Sequence, residues 1–273
     1  MFMSLYSYAQ TESGLVLAAN LEGLFSPAAD VFKGAAATSV TPNPIGTLTQ
    51  SSDTLTGNGS YIFANNSGIR YSYSASGQGF GIAQVAFELV FKKNGNPVAE
   101  ETLCRFKGIS IYGDGASLTL QTNGKLRFSF ASSSTSNSIT TTANLCDNQW
   151  HHIIAVYDNN RSDGTRLYID GTLIGTASPI GNLGFGTSIS LGYSLSNSDV
   201  ASNYFTGSID YFAVYKGSPF GGTTTATDTA VSTHRAQFAN NTPASPTILL
   251  IHNKYQILDQ RSGTNLMKLQ EHQ

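Results

Sequence analysis

Hydrolysis of a glycosidic bond needs two carboxyl groups flanking one bond, one acting as acid and the other as nucleophile or base. On a strand such a pair would read Glu-x-Asp or Glu-x-x-x-Glu, with both side chains over one cleft. The chain has six glutamates, Glu12, Glu22, Glu88, Glu100, Glu101 and Glu271, and none has an acidic partner at that spacing. Glu100 and Glu101 are adjacent, so in a strand they face opposite sides. A Ser-His-Asp arrangement, a His-Glu-x-x-His helix and a phosphate-binding glycine loop are equally missing. Hydrolase chemistry is therefore the least favoured reading, and no catalytic residue is assigned.

Metal chemistry has two starting points. The loop Asp158-Asn159-Asn160-Arg161-Ser162-Asp163-Gly164 is rich in oxygen donors, with Asp158, Asn160 and Asp163 as candidate ligands. It misses the EF-hand register, because its glycine comes one place late and no glutamate closes it. A plain hairpin loop is the preferred reading. Asp199, near Asn197, is the second candidate. No cofactor is required by these residues, and calcium is the one ion the loops admit. His151 and His152 are neighbours on an expected strand, so they point to opposite faces and cannot chelate one ion together. A hydrogen-bonding role at the core edge suits one of them better than catalysis. Cys104 and Cys146 are too few for a structural zinc site, and read as free, partly buried thiols rather than a disulfide.

Composition bounds what can position these groups. Only 12% of the 273 residues are charged, the formal net charge is −2, and hydrophobic residues make up 40%, with 13 Tyr and 15 Phe. That aromatic content argues against disorder and for a β-protein with polar, uncharged turns. The densest basic patch, Arg105, Lys107, Lys125 and Arg127, alternates along the chain and reads as the solvated side of two strands. Nucleic acid is not an expected partner, because phosphate neutralisation needs several cations on one face. No apolar stretch approaches a membrane span. The run Met1-Phe2-Met3-Ser4-Leu5-Tyr6 lacks the basic and apolar regions of a secretory leader, although the composition looks extracellular. Release by cell lysis, as for a virus particle component, would reconcile the two.

The central chain shows short alternating runs broken by turn residues, the pattern of a sandwich. Val85, Phe87, Leu89 and Phe91 fall on one face of a strand. Ser117–Leu120 and Leu126–Phe130 flank Asn123-Gly124, a hairpin signal because both turn residues tolerate positive φ. Ser132–Thr142 is expected to be an exposed loop. Strands follow at Trp150–Tyr157, Thr165–Ile169, Thr172–Thr176, Ile189–Tyr193 and Gly207–Tyr215, with Asp170-Gly171 as a turn. Gly34–Gln50 reads as a long excursion, and Thr229–Asn240 as a short helix with Val231, Arg235 and Phe238 on one face. Residues 1–13 form an N-terminal arm, 14–241 a β-sandwich domain and 242–273 a C-terminal tail. The tail contains Ile248-Leu249-Leu250-Ile251, the most apolar tetrapeptide of the chain.

Three segments, in order, carry a family resemblance. Leu145–Tyr157, with its Trp150-His151-His152, resembles a strand of the laminin-G-like domains of the concanavalin A-like lectin/glucanase superfamily. Arg166–Gly175, with Tyr168-Ile169-Asp170-Gly171, is similar to that family's Tyr-x-Asp-Gly hairpin. Phe205–Tyr215, with Gly207, Ile209 and Asp210, is similar to its Gly-x-Ile-Asp strand. The resemblance implies an all-β, two-sheet antiparallel jelly roll. Within it Trp150 is expected to fill the sandwich core, Asp170-Gly171 to make the turn, and Asp210 to be satisfied by loop amides.

These motif residues are scaffold, so function is expected in the rim loops and the tail. Tyr193, Asn197, Asn203 and Tyr204 are the candidates to stack on and hydrogen-bond to sugars. The expected role is a non-enzymatic structural or adhesive protein, a phage-type fibre or decoration protein on a virion surface. A carbohydrate- or receptor-binding adhesin of a cell surface is the alternative. Expected partners are other virion or surface proteins through the tail, host glycans, and further copies of the chain in a homo-oligomer.

Overall fold

A computed structural model describes residues 15–20, 31–32, 40–55, 59–73, 83–107, 115–132, 135–183, 188–196, 198–216 and 231. Eighteen strands build it, and all named pairings are antiparallel. The first sheet places β14 (Thr172–Ala177), β13 (Thr165–Ile169), β12 (Asp147–Asp158), β7 (Gln84–Asn94), β18 (Gly207–Lys216), β1 (Leu15–Asn20) and β2 (Val31–Phe32) side by side. β5 (Ser60–Phe63) shares the β1 edge of β18, and β4 (Thr49–Ser51) pairs with it, which makes nine strands. The second sheet has seven, in the order β11 (Thr135–Thr140), β10 (Leu126–Ser132), β9 (Gly115–Leu120), β8 (Glu101–Lys107), β15 (Ser188–Leu191), β6 (Gly68–Tyr73) and β3 (Val40–Ile45). A small ribbon pairs β16 (Ser194–Leu195) with β17 (Ala201–Ser202).

Period-two alternation explains why the sheets stack. In the second sheet, directly paired residues share a face. Ile69, Leu191, Cys104, Leu118, Phe128 and Ile139 form one continuous cross-strand row, and all six lie in the inter-sheet core. From the first sheet, Val85, Phe87, Leu89 and Phe91 of β7 and Ile153, Ala155 and Tyr157 of β12 meet them. The opposite face of the first sheet is buried too. Ala86, Val90, Ile154, Val156, Tyr168, Tyr211 and Tyr215 form a second cluster, with Val231 packed in it. That is why Ile153-Ile154-Ala155-Val156-Tyr157 is a continuous apolar run.

Several expectations are corrected by this architecture. Trp150 lies outside the inter-sheet core, because the alternation of β12 sends His151 and Ile153 inward. Trp150 instead packs half-buried against the second cluster, and its Nε1 donates to Asp53 Oδ1 at 3.0 Å. Most of Ser132–Thr142 is an edge strand, β11, with only Ile139 buried between Thr135 and Thr140; one inward side chain gives no readable period. Gly34–Gln50 contains β3, whose Pro42 and Pro44 are tolerated because β3 is the other edge of that sheet. The expected hairpin of β9 and β10 is present; Gly124 takes positive φ, 76°, and the loop closes by Gly124 N–H to Gln121 O and Gln121 N–H to Lys125 O. By contrast Asp170 (52°) and Gly171 (81°) both take positive φ in a two-residue turn between Ile169 and Thr172. Of the expected helix only Val231, in helical conformation, is described; the arm 1–13 and the tail 242–273 lie outside the described residues.

Candidate functional site

The outward face of the seven-stranded sheet differs from the other three faces. One step along from its apolar row runs a second cross-strand row, Asn43, Arg70, Ser190, Arg105, Ser117, Ser129 and Ser138, with one residue from every strand. A parallel row, Thr102, Thr119, Arg127 and Thr140, lies beside it. No member is apolar. Asn43, Ser138 and Thr140 are exposed, and Arg70, Arg105, Ser117, Arg127 and Ser129 half-buried. Over this floor lies a groove of about 240 Å3, bounded at the rim by Ser194 and Asn203 and lined by Arg105, Arg127 and Glu100.

Each charge in and around the groove has a defined position. Arg127 Nη2 meets Glu100 Oε2 at 2.8 Å, so those two charges cancel. Arg105 Nη1 donates to Ser194 Oγ at 3.2 Å. Burial draws the pKa of Arg105 down from its usual value. Beyond the groove, Arg70 and Lys107 both meet Asp199 Oδ1 at 2.9 Å. The hydrogen bond from Lys107, ahead of the pull of Arg70, holds Asp199 below the usual carboxylate range. Glu100 is the one carboxylate among the described residues that line the groove.

The rim residues separate into two groups. Asn203 lines the groove, and its carbonyl accepts the Thr102 N–H at 2.8 Å, which ties the rim loop to β8. Tyr204 is half-buried beside it and stacks on Tyr193 with ring centroids 5.7 Å apart. Tyr193 is fully buried, and burial pushes its hydroxyl up to about 12. Tyr193 therefore supports the Tyr204 ring from below and offers no face of its own to a ligand, contrary to expectation. Asn197 lies outside the described residues.

The candidate metal ligands are spread over two places and already engaged. Asp158 is buried and accepts from Gln84 Nε2 at 3.0 Å and the Asn160 N–H at 2.9 Å. Asp163 meets Arg161 at 3.3 Å and Arg166 at 3.5 Å. Asp199 is held by its two cations. Among the described residues no group of three or more His, Cys, Asp or Glu could hold a metal ion.

The motif residues sit away from the groove and brace the first sheet. His151 points inward against Phe91, between Asp170 Oδ2 (2.8 Å from Nδ1) and Asp147 Oδ1 (3.1 Å from Nε2). Asp170 Oδ1 also accepts the His152 N–H, so the hairpin turn is tied to β12. His152 faces the opposite way, where Nε2 lies 2.6 Å from Glu88 Oε1, and Tyr215 donates to Glu88 Oε2 at 2.6 Å. Glu88 is fully buried, a satisfied carboxylate under the second cluster. Asp210, at a bulge in β18 between Ile209 and Tyr211, accepts the Leu55 N–H at 2.9 Å, as expected of a carboxylate serving loop amides. Gly207 admits no side chain: a Cβ there would lie 2.6 Å from the Lys92 carbonyl oxygen. Cys104 and Cys146 are free and buried, and burial raises their thiols to about 12 and about 11.

The chain belongs to the concanavalin A-like lectin/glucanases superfamily, whose laminin-G model matches residues 66–219, more than half of it. Among solved structures it is similar to botulinum neurotoxin binding domains. One belongs to a study of type C, in which cell entry depends on interaction with two ganglioside molecules: TM-score 0.60, 10% identity, covering 85% of this chain and 53% of that one. Another is the type G receptor-binding domain (TM-score 0.56, 15% identity, 82% and 51% covered). A third is the type DC domain in complex with rat synaptotagmin II (TM-score 0.58, 10% identity, 82% and 52% covered). The chain thus spans about half the length of these structures, and at such identities the likeness is one of fold. Comparison with curated proteins finds no match. Of the four expected sugar-contacting residues, Asn203 lines the groove, and Tyr204 follows it in the chain. The alternation of Arg105 with Lys107 and of Lys125 with Arg127 marks the outward side of β8 and β10, as expected, but does not by itself show a groove.

Proposed function

We propose that this chain is a non-enzymatic binding domain of lectin type that takes a glycan in the groove on the seven-stranded sheet. The observation that carries the reading is the unbroken polar row from Asn43 to Ser138 across all seven strands. Serine and threonine hydroxyls, guanidinium groups and the Asn203 amide supply both donors and acceptors, and the half-buried Tyr204 ring lies next along the chain from Asn203. Sugars are hydroxyl-rich with apolar ring faces, and such a lining suits them. Hydrolysis would need a second carboxyl group across the bond, whereas Glu100 stands alone among the described lining residues and is neutralised by Arg127. The ganglioside and receptor binding of the similar neurotoxin domains is in keeping with a host-glycan or receptor partner. Purified protein applied to a glycan array should bind a defined subset of structures; silence across the array at high protein concentration overturns the reading.

A narrower form of this proposal places the domain on a virion surface as a fibre or decoration protein, anchored and oligomerised through the tail. Its support is the low charge and the apolar run Ile248-Leu249-Leu250-Ile251 after Pro243 and Pro246. Deleting Thr247–Gln273 should lower the oligomer mass measured by light scattering, and an unchanged mass removes the support.

A further inference from the structure

Among the described residues that line the groove, Arg105 is the one charge without an ion-pair partner. It sits on β8 in the middle of the second sheet, flanked in register by Ser190 on one side and Ser117 on the other. Its guanidinium is half-buried, and among the described residues no carboxylate lies within ion-pair distance of it, its hydrogen bond going to the neutral Ser194 hydroxyl. Its neighbours each touch a carboxylate: Arg127 has Glu100, while Arg70 and Lys107 share Asp199. Taking a guanidinium partly out of water costs free energy that a carboxylate or an oxyanion normally offsets. Arginine presents a planar fork of donors suited to two oxygens at once. With Glu100 and Arg127 cancelling, the described lining residues carry one net positive charge, placed where a ligand would lie.

We infer that the groove selects an acidic glycan, one bearing a carboxylate or sulfate group, and that Arg105 is the residue that receives that group. The inference rests on the glycan-binding reading above and sharpens it. The Ser117 and Ser129 hydroxyls, next along the same row and also lining the groove, are placed to donate to the remaining oxygens of the anion. The Ser194 hydroxyl fixes one edge of the guanidinium and leaves its other donors for the ligand. Because the interaction is between a single charge pair in a half-open groove, it sets specificity more than gross affinity.

The test uses matched pairs on one array: 3′-sialyllactose and 3′-sulfolactose against lactose, and acidic against neutral forms of other cores. Wild-type protein, Arg105→Ala and the charge-keeping Arg105→Lys are compared, with thermal unfolding of each as the folding control. Wild type should prefer the acidic member of its pairs by about tenfold or more. Arg105→Ala should bind both members alike, and Arg105→Lys should keep part of the preference. Raising salt should erode binding to the acidic member alone. The carboxylate and sulfate arms report which anion is taken. Equal binding of acidic and neutral partners by wild type, or an acidic preference that survives in folded Arg105→Ala, overturns the inference and leaves glycan binding standing. Failure of every glycan, neutral or acidic, overturns the glycan-binding reading itself.

Discussion

His151 shows how one motif residue serves as scaffold. Burial alone would lower its pKa, but hydrogen bonds to Asp170 and then Asp147 outweigh that and raise it above the usual 6.5. A histidine whose folded pKa is raised adds stability that is fully present below its unfolded pKa. That stability is lost as the pH climbs through the folded value. The protonated ring clamps the Asp170-Gly171 turn to the start of β12. His151→Gln should therefore cost more at pH 5.5 than at pH 8.5. Thermal melts of both proteins at the two pH values measure this, and an equal or larger gap at pH 8.5 would refute the clamp. Cys104 and Cys146 play no comparable part, since buried thiols raised to about 12 and about 11 stay protonated and unreactive.

At the scale of elements, the two sheets are joined at one end by a polar tie. Lys93 near the end of β7 and Glu101 at the start of β8 meet at 3.0 Å, with side-chain exposures of 5% and 12%. Glu101 also accepts the Thr206 N–H and hydroxyl just before β18, and Lys93 donates to the Thr206 carbonyl. Removing one partner leaves a buried charge alone, so Glu101→Gln or Lys93→Met should each cost about 3 kcal/mol in urea unfolding. The double variant Lys93→Met/Glu101→Leu should recover most of that loss, because the stranded charge is gone. Additive losses in the double variant would show that the pair acts otherwise. This tie was half legible beforehand. The adjacency of Glu100 and Glu101 requires opposite faces, and the structure sends Glu100 to the groove and Glu101 between the sheets. Their partners, Arg127 and Lys93, come from strands whose pairing no local pattern announces. Strands β7, β12, β13 and β18 were readable because each carries several inward apolar residues. β11 and β3 were not, since one has a single inward residue and the other two prolines.

For the whole molecule, the fold was legible and the groove was not, for one physical reason. A two-sheet sandwich follows from alternation within each strand, which is local. The row from Asn43 to Ser138 depends on register across seven strands, and the Thr102 row beside it on a bulge between Thr102 and Cys104; register is a property of pairs. Trp150 was misplaced by the same gap, because knowing that a strand alternates does not say which parity faces inward.

Calcium binding is testable at this scale. The oxygen-rich segments end as closed turns with their carboxylates directed inward or onto cations: Asp158 onto Gln84 and its own turn, Asp163 onto Arg161 and Arg166, and Asp199 onto Arg70 and Lys107. A calcium ion would have to displace the guanidinium and ammonium groups that Asp163 and Asp199 already meet, and would find no cluster of ligands among the described residues. A site filled at a hundred times its dissociation constant would add about 2.7 kcal/mol to stability. In a domain of this size that corresponds to a rise of about 5 °C or more in Tm. Melts in excess chelator and in millimolar calcium should therefore coincide to within about 1 °C, a small fraction of that rise, and glycan binding should be the same in both. A calcium-dependent rise of several degrees, or binding abolished by chelator, would show that the loops open to form a site that their ion pairs now close.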